Sequence, residues 1–196
     1  MRGVDSAQNH RVALTPEKAR QVLDAAERLC SAAVVSEAVT RVAQEISAQL
    51  GDSFPLVLSI MRGSVVFAGQ LLPQLRFPLE FDYLDVTRYG DATHGGEVSW
   101  KVTPGTAVAG RIVLVLDDIL DEGQTLSAVR RKLLESGAVK VYSAVFADKD
   151  TGRVKPVSAD FVGLKLPDRY VFGFGMDVSG AWRNLPEIYA LKDSEQ

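Results

Sequence analysis

The segment that most constrains this chain is Val113–Leu126, VLVLDDILDEGQTL, in which four apolar residues run directly into acid and glycine. A strand apolar on both faces belongs inside a parallel sheet that helices cover. The carboxyl end of such a strand opens onto the crevice where open α/β sheets bind ligands. Here that end carries Asp117, Asp118, Asp121 and Glu122, then Gly123, Gln124 and Thr125, and then an amphipathic helix. Four carboxylates crowded against a helix start are costly unless a cation, a hydroxyl-rich ligand or a phosphate-bearing partner organises them.

The chain has 196 residues, enough for one α/β domain with a sizeable core. Its formal net charge of −3 leaves no basic excess to displace the counterions of a nucleic acid. No apolar run is long enough to cross a bilayer, and the N-terminal MRGVDSAQNHR lacks the apolar stretch of a signal peptide. A single cysteine, Cys30, forms no internal disulfide, and with only His10 and His94 beside it a structural zinc site is not expected. The expectation is a cytoplasmic enzyme with no membrane or nucleic-acid partner.

Strands alternate with helices along the chain, which predicts right-handed βαβ units and a mostly parallel sheet. Pro16–Ala33 reads as one helix capped by Thr15, with Pro16 at its first position. Ser36–Leu50 reads as a second, capped by Ser36, with Val39, Val42, Ile46 and Leu50 on one face. Pro55–Met61 is a buried strand, Gly63–Leu75 a helix and Glu80–Tyr89 a strand. Gly90–Pro104 is a mobile loop with a short hairpin around Val98–Val102. Arg111–Leu120 is followed by the helix Thr125–Ser136, which Gly137 closes, and by the strand Val139–Ala147. Phe161–Leu166 and Tyr170–Phe174 are shorter strands. No linker divides the chain, so residues 1–196 read as a single domain.

At Asp121–Thr125 the helix start offers unpaired N–H groups and a partial positive charge, together an anion site. Gly123 allows close backbone approach, and the Thr125 hydroxyl can donate to phosphate. A Walker A loop is absent, and an EF-hand fails because Ile119 and Glu122 occupy its third and sixth positions. The adjacent acids suit the paired hydroxyls of a ribose. Any one of them alone can be a strand end or a helix cap; the whole pattern is far more specific.

VLVLDDILDEGQT resembles the phosphoribosyl-pyrophosphate-binding motif of the type I phosphoribosyltransferases. The resemblance implies that Asp117 and Asp118 hold the ribose hydroxyls and that Asp121–Thr125, including the backbone of Glu122 and Gln124, bind the 5′-phosphate. Within that family the chain is similar to the hypoxanthine-guanine phosphoribosyltransferases over roughly residues 35–190. That likeness implies an α/β fold with a central sheet flanked by helices and a small hood from the N- and C-terminal segments. It implies Lys149 on the purine 6-oxo group, Tyr170 stacked on the base and Val171 at the base edge. It places Arg183 and the loop Arg62-Gly63 on pyrophosphate, Asp177 on a magnesium ion, and Arg88 and Tyr89 at the start of a lid over residues 88–104.

The implied reaction carries the phosphoribosyl group from phosphoribosyl pyrophosphate to N9 of a 6-oxopurine, with Asp121 as general acid/base, giving IMP or GMP and pyrophosphate. A homodimer or homotetramer is expected, with the N-terminal helix assigned no role beyond packing or oligomer contacts. Arg62, Gln124 and Arg88 depart from the commonest family residues, but no acid is lost. Two alternatives are a xanthine-preferring transferase and an RNA-binding regulator on the same fold; the sequence pI of about 5.5 disfavours the second.

Overall fold

The computed structural model describes residues 14–88, with Arg88 in backbone only, and 98–192. Tyr89, the lid segment 90–97 and both histidines lie outside these residues, as does the side chain of Arg88.

The helix expected over Pro16–Ala33 is instead a shorter helix, α1 (Pro16–Ala25), and a strand, β1 (Glu27–Cys30). Thr15 caps α1 as expected, its Oγ1 accepting from the Lys18 amide at 3.2 Å. Glu-Arg-Leu-Cys is a good helix-forming run, but it pairs antiparallel with a strand far along the chain, β9 (Ile188–Ala190). Tertiary pairing overrides local propensity here, reinforced by Arg169 Nη1 donating to Glu27 Oε2 at 2.6 Å. The next helix, α2 (Ala32–Leu50), begins four residues before the expected Ser36; its cap is Ser31, whose Oγ accepts from the Val34 amide.

After β2 (Leu56–Met61), the expected helix Gly63–Leu75 is a seven-residue α-helix, α3 (Val65–Leu71), and a 3₁₀ turn at Leu72–Gln74. Pro73 explains the break: it has no N–H to donate, and its ring clashes with the carbonyl four residues back. β3 (Glu80–Arg88) pairs antiparallel with β4 (Val98–Val102), so the residues expected to form a short hairpin within the loop are instead one edge strand of the sheet, held by pairing with β3. β5 (Ile112–Leu120) and α4 (Gln124–Glu135) fall within one residue of the sequence reading. β6 (Lys140–Asp150) runs three residues beyond its expected end, carrying Lys149 inside the strand. β7 (Phe161–Pro167) follows, and the last expected strand shrinks to β8 (Val171–Phe172).

The main sheet has the order β4-β3-β2-β5-β6-β7 and is parallel except at β4. β5 sits inside it, and its alternation of side chains feeds two cores. Leu114 and Leu116 join α2, α3 and Phe146 on one face. Val113 and Val115 join Leu126, Val129 and Leu133 of α4 on the other. The chain therefore leaves β2 to one side of the sheet and β5 to the other. That divergence between adjacent parallel strands opens the crevice that a ligand enters. β1, β9 and β8 form a separate antiparallel sheet, the hood. Its small core of Phe172, Val178 and Leu191 receives Val22 and Leu23 of α1. The Trp182 indole N–H also donates to the Ala19 carbonyl at 2.8 Å, so α1 packs on the hood.

Candidate functional site

Three main-chain segments meet at the crevice: the turn after β2, the turn after β5 and the hood loop 173–183. Gly63 in the first approaches Asp118 so closely that a Cβ there would lie 1.9 Å from Asp118 Oδ2. Gly175 in the third lies directly on the Gly63 carbonyl, where a Cβ would stand 2.2 Å from that oxygen. Gly175 also has φ +100°, a conformation that favours glycine. The Arg62-Gly63 turn follows a cis Met61–Arg62 peptide bond. It is anchored from beneath by buried Ser64, whose Oγ lies 2.6 Å from Ser59 Oγ and donates to the Ile60 carbonyl at 2.5 Å. Arg62 itself is exposed at the rim.

Asp117 is buried and accepts the Asp118 amide on Oδ1 at 3.0 Å, while Asp118 Oδ1 accepts the Ile119 amide at 2.9 Å. Both carboxylates are thus aimed by their own backbone. Burial pushes the Asp118 carboxyl above its ordinary value of 3.8, against hydrogen bonding with Asp117 and the charge of Arg183, whose Nη1 is 3.9 Å away. An acid whose folded-state value is raised contributes stability that is full below pH 3.8 and is lost as pH rises through the raised value. Asp118→Asn should accordingly raise Tm at pH 7. The gain should vanish in melts below about pH 4.

At the start of α4, Gly123 has φ +80° and caps the helix, with Pro156 Cδ 3.3 Å from where a Cβ would stand. Gln124 and Thr125 stand in the first turn of the helix, at the positive end of its dipole. Glu122 is exposed beside them. Asp121 is not a helix cap. Its Oδ2 is 3.4 Å from Lys149 Nζ, which also lies 3.6 Å from Asp168 Oδ1. The Lys149 side chain is 14% exposed and that of Asp121 45%, so the lysine is fixed and the carboxylate faces open space.

That space is a cavity of about 210 Å³, and Asp118, Asp121, Lys149, Tyr170, Val171 and Asp177 all line it. Residues chosen from four separate stretches of sequence therefore share one wall. Tyr170 is 44% exposed, and its hydroxyl donates to the Asp177 carbonyl at 3.2 Å. Asp177 accepts the Gly180 amide on Oδ2 at 2.6 Å and pairs through Oδ1 with Arg183 Nη2. Arg183 Nη1 also donates to the Gly175 carbonyl at 2.5 Å. Arg183 thus bridges two carboxylates, Asp118 and Asp177, that would otherwise repel. Ile119 and Met176 complete the cavity with apolar surface. Sequence reasoning did not pick them, nor Asp168 or Ser64, because nothing in their spacing separates them from ordinary core or loop residues.

The arrangement has an anion-binding helix start, a backbone turn beside buried acids, and an apolar slot with an ammonium and a carboxylate at one end. It suits a ligand that is phosphate, polyol and planar ring in one molecule. Residues 31–179 match the model of the phosphoribosyl transferase domain. The hypoxanthine-guanine phosphoribosyltransferase of Bacillus subtilis is 34% identical over 165 residues, 84% of this chain and 92% of that protein. The enzyme of the same name from Lactococcus lactis is 39% identical over 139 residues, 70% of this chain and 75% of its own. The crystal structure of a hypoxanthine phosphoribosyltransferase from Staphylococcus aureus superimposes with a TM-score of 0.81 at 26% identity. That superposition covers 86% of this chain and 92% of the other.

Proposed function

Because this chain belongs to the phosphoribosyl transferase domain family, we propose that it is a purine-salvage transferase that moves the 5-phosphoribosyl group from phosphoribosyl pyrophosphate to N9 of hypoxanthine or guanine. The observation that carries this reading is the shared cavity of Asp121, Lys149, Tyr170 and Val171 beside buried Asp117 and half-buried Asp118. The relatives it resembles over most of its length carry that activity in their names.

In this reading the 5′-phosphate rests on the first amides of α4 and the Thr125 hydroxyl. Asp117 and Asp118 accept the two ribose hydroxyls, and Gly63, Arg62 and Arg183 receive the pyrophosphate. The purine lies against Tyr170, with its 6-oxo group accepting from Lys149 and its edge at the Val171 backbone. N9 forms a bond to C1′ as the C1′–O bond breaks, and the bonding pair leaves with pyrophosphate. Asp121 takes the proton from N7. Charge develops mainly at C1′ and on the leaving oxygens, so most of the rate comes from positioning and fixed electrostatics. Residues 88–104, with Arg88 and Tyr89 at their start, form a lid that keeps water from C1′.

Among the described residues no group of three or more histidine, cysteine, aspartate or glutamate side chains forms a cage for a metal ion. One or two carboxylates plus substrate oxygens are what magnesium takes in nucleotide sites. Asp177 fits that donor set and would hold the ion. Bound there, magnesium would supply charge neutralisation on pyrophosphate.

No described helix is long and apolar enough to cross a membrane. We assign the enzyme to the cytoplasm, where its one thiol stays reduced, and expect a homodimer or homotetramer. The single domain of residues 1–196 completes the proposal.

Steady-state rates with hypoxanthine, guanine, xanthine and adenine test the reading, each with phosphoribosyl pyrophosphate and magnesium. Hypoxanthine and guanine should turn over at least about 100-fold faster than adenine, whose 6-amino group cannot accept from Lys149 and leaves a buried donor unpaired. Equal rates with adenine would remove the assigned role of Lys149.

A further inference from the structure

We propose that Lys155 is a positioning residue that fixes the Asp121–Lys149 pair from behind, an inference resting on the functional reading above. Lys155 lies in the loop between β6 and β7, outside the cavity lined by the two catalytic-end side chains. Its side chain is 14% exposed and its ammonium donates three short hydrogen bonds: to the Leu120 carbonyl at 2.6 Å, the Lys149 carbonyl at 2.6 Å and Asp148 Oδ1 at 2.7 Å. An ammonium has three protons, so every donor is used.

Two of those acceptors sit in informative places. The peptide unit is planar, so a carbonyl oxygen held in place also holds the Cα atoms on either side of it. The Leu120 carbonyl belongs to the plane that contains the Cα of Asp121. The Lys149 carbonyl belongs to the plane that contains the Cα of Lys149. One ammonium therefore locks the main chain beneath both members of a pair whose side chains meet at 3.4 Å.

The topology explains why such a clamp is needed at this point. β5 and β6 are in parallel register as far as Leu120 and Asp148, where β5 ends. β6 continues to Asp150, paired with β7 alone. Asp121 leaves the sheet at the step where the β5–β6 ladder stops, and Lys155 ties the two strand ends together there. Asp148 neutralises the ammonium, so Lys155 acts on geometry and adds little net charge to the base site.

Lys155→Met tests this, read in the full-length chain by steady-state kinetics, thermal melting and amide hydrogen exchange. A misplacement of about 1 Å costs up to ~100-fold in rate. Lys155→Met should therefore lower kcat about 10- to 100-fold and raise KM for hypoxanthine, with KM for phosphoribosyl pyrophosphate within about twofold of wild type. The amides of Asp121 and Asp150, on the two clamped peptide planes, should exchange faster. Lys155→Arg keeps the charge beside Asp148, but its planar fork cannot converge three bonds on one point. It should give the same split between the two substrates, and it serves if the methionine variant does not fold.

Wild-type exchange at both amides overturns the clamp, whatever the activity. An unchanged kcat, or a loss shared equally by both substrates, also overturns it. A wild-type chain that fails to transfer phosphoribose to any purine overturns the functional reading instead, and the exchange readout still decides the clamp.

Discussion

Asp121→Asn is expected to lower kcat for phosphoribosyl transfer to hypoxanthine by about two to four orders of magnitude, the range for losing a general acid/base. The amide occupies the same volume and still offers an oxygen to Lys149 Nζ, now 3.4 Å from Asp121 Oδ2. What it cannot do is take up the N7 proton. The Asp121 side chain is 45% exposed and caps no helix. Exposed substitutions of this kind change stability by about 0.5 kcal/mol or less. Tm should stay within a few degrees of wild type, and KM for phosphoribosyl pyrophosphate should hold, because the ribose falls to other side chains and the phosphate to backbone amides and the Thr125 hydroxyl, none of which the substitution alters. Turnover close to wild type, measured with saturating substrates, would take Asp121 out of proton transfer.

Gly63→Ala is the second large effect, expected to cut kcat/KM for phosphoribosyl pyrophosphate about 100-fold. Gly63 is not among the residues with positive φ, so alanine meets no backbone penalty there. The conflict is spatial: the new Cβ would sit 1.9 Å from Asp118 Oδ2 and 2.4 Å from its Cγ. Either the carboxylate leaves its place over the ribose or the turn retreats. The turn has little freedom, since Ser64 ties it to Ser59 and Ile60, and Gly175 presses on its carbonyl. Gly69→Ala is the matched control. It lies in α3 with nothing within 4 Å of its Cβ position, and should leave kinetics unchanged while gaining up to ~1 kcal/mol from helix propensity. Equal kinetic loss from both variants would contradict the close-approach account.

The parts of this molecule legible in its sequence are those where local signals and tertiary environment agree. β5 is apolar from Ile112 to Leu116 because both its faces are covered there, and α4 carries its apolar stripe at helical spacing toward the sheet. Both could be placed to within a residue. The acids, Gly123 and Thr125 of the turn between them are adjacent in sequence, so their chemistry could be read directly. The errors arose where a distant segment decides the outcome. Glu27–Cys30 has helix-forming side chains and becomes a strand because Ile188–Ala190 offers it a partner. The cap of α2 moved to Ser31 for the same reason, since the chain had already left β1. Pro73 was a readable signal of the early end of α3. Lys155 had no such signal: it lies in a run of charged residues, and only folding reveals that its ammonium meets two carbonyls from different strands.

The contact of Gly175 with the Gly63 carbonyl joins hood to sheet main chain against main chain. The contact itself is backbone on backbone, with Arg183 holding the Gly175 carbonyl and Phe174 packed on Phe146 beside it. Tyr170, exposed on the hood's side of the cavity, can therefore vary while the seat under the sugar and phosphates keeps its dimensions, whereas Val171 and Met176 are held in the main core. An engineer seeking a transferase for a different heterocycle can vary Tyr170 and hold the two glycines constant, redesigning the purine slot without recalibrating the phosphoribosyl grip.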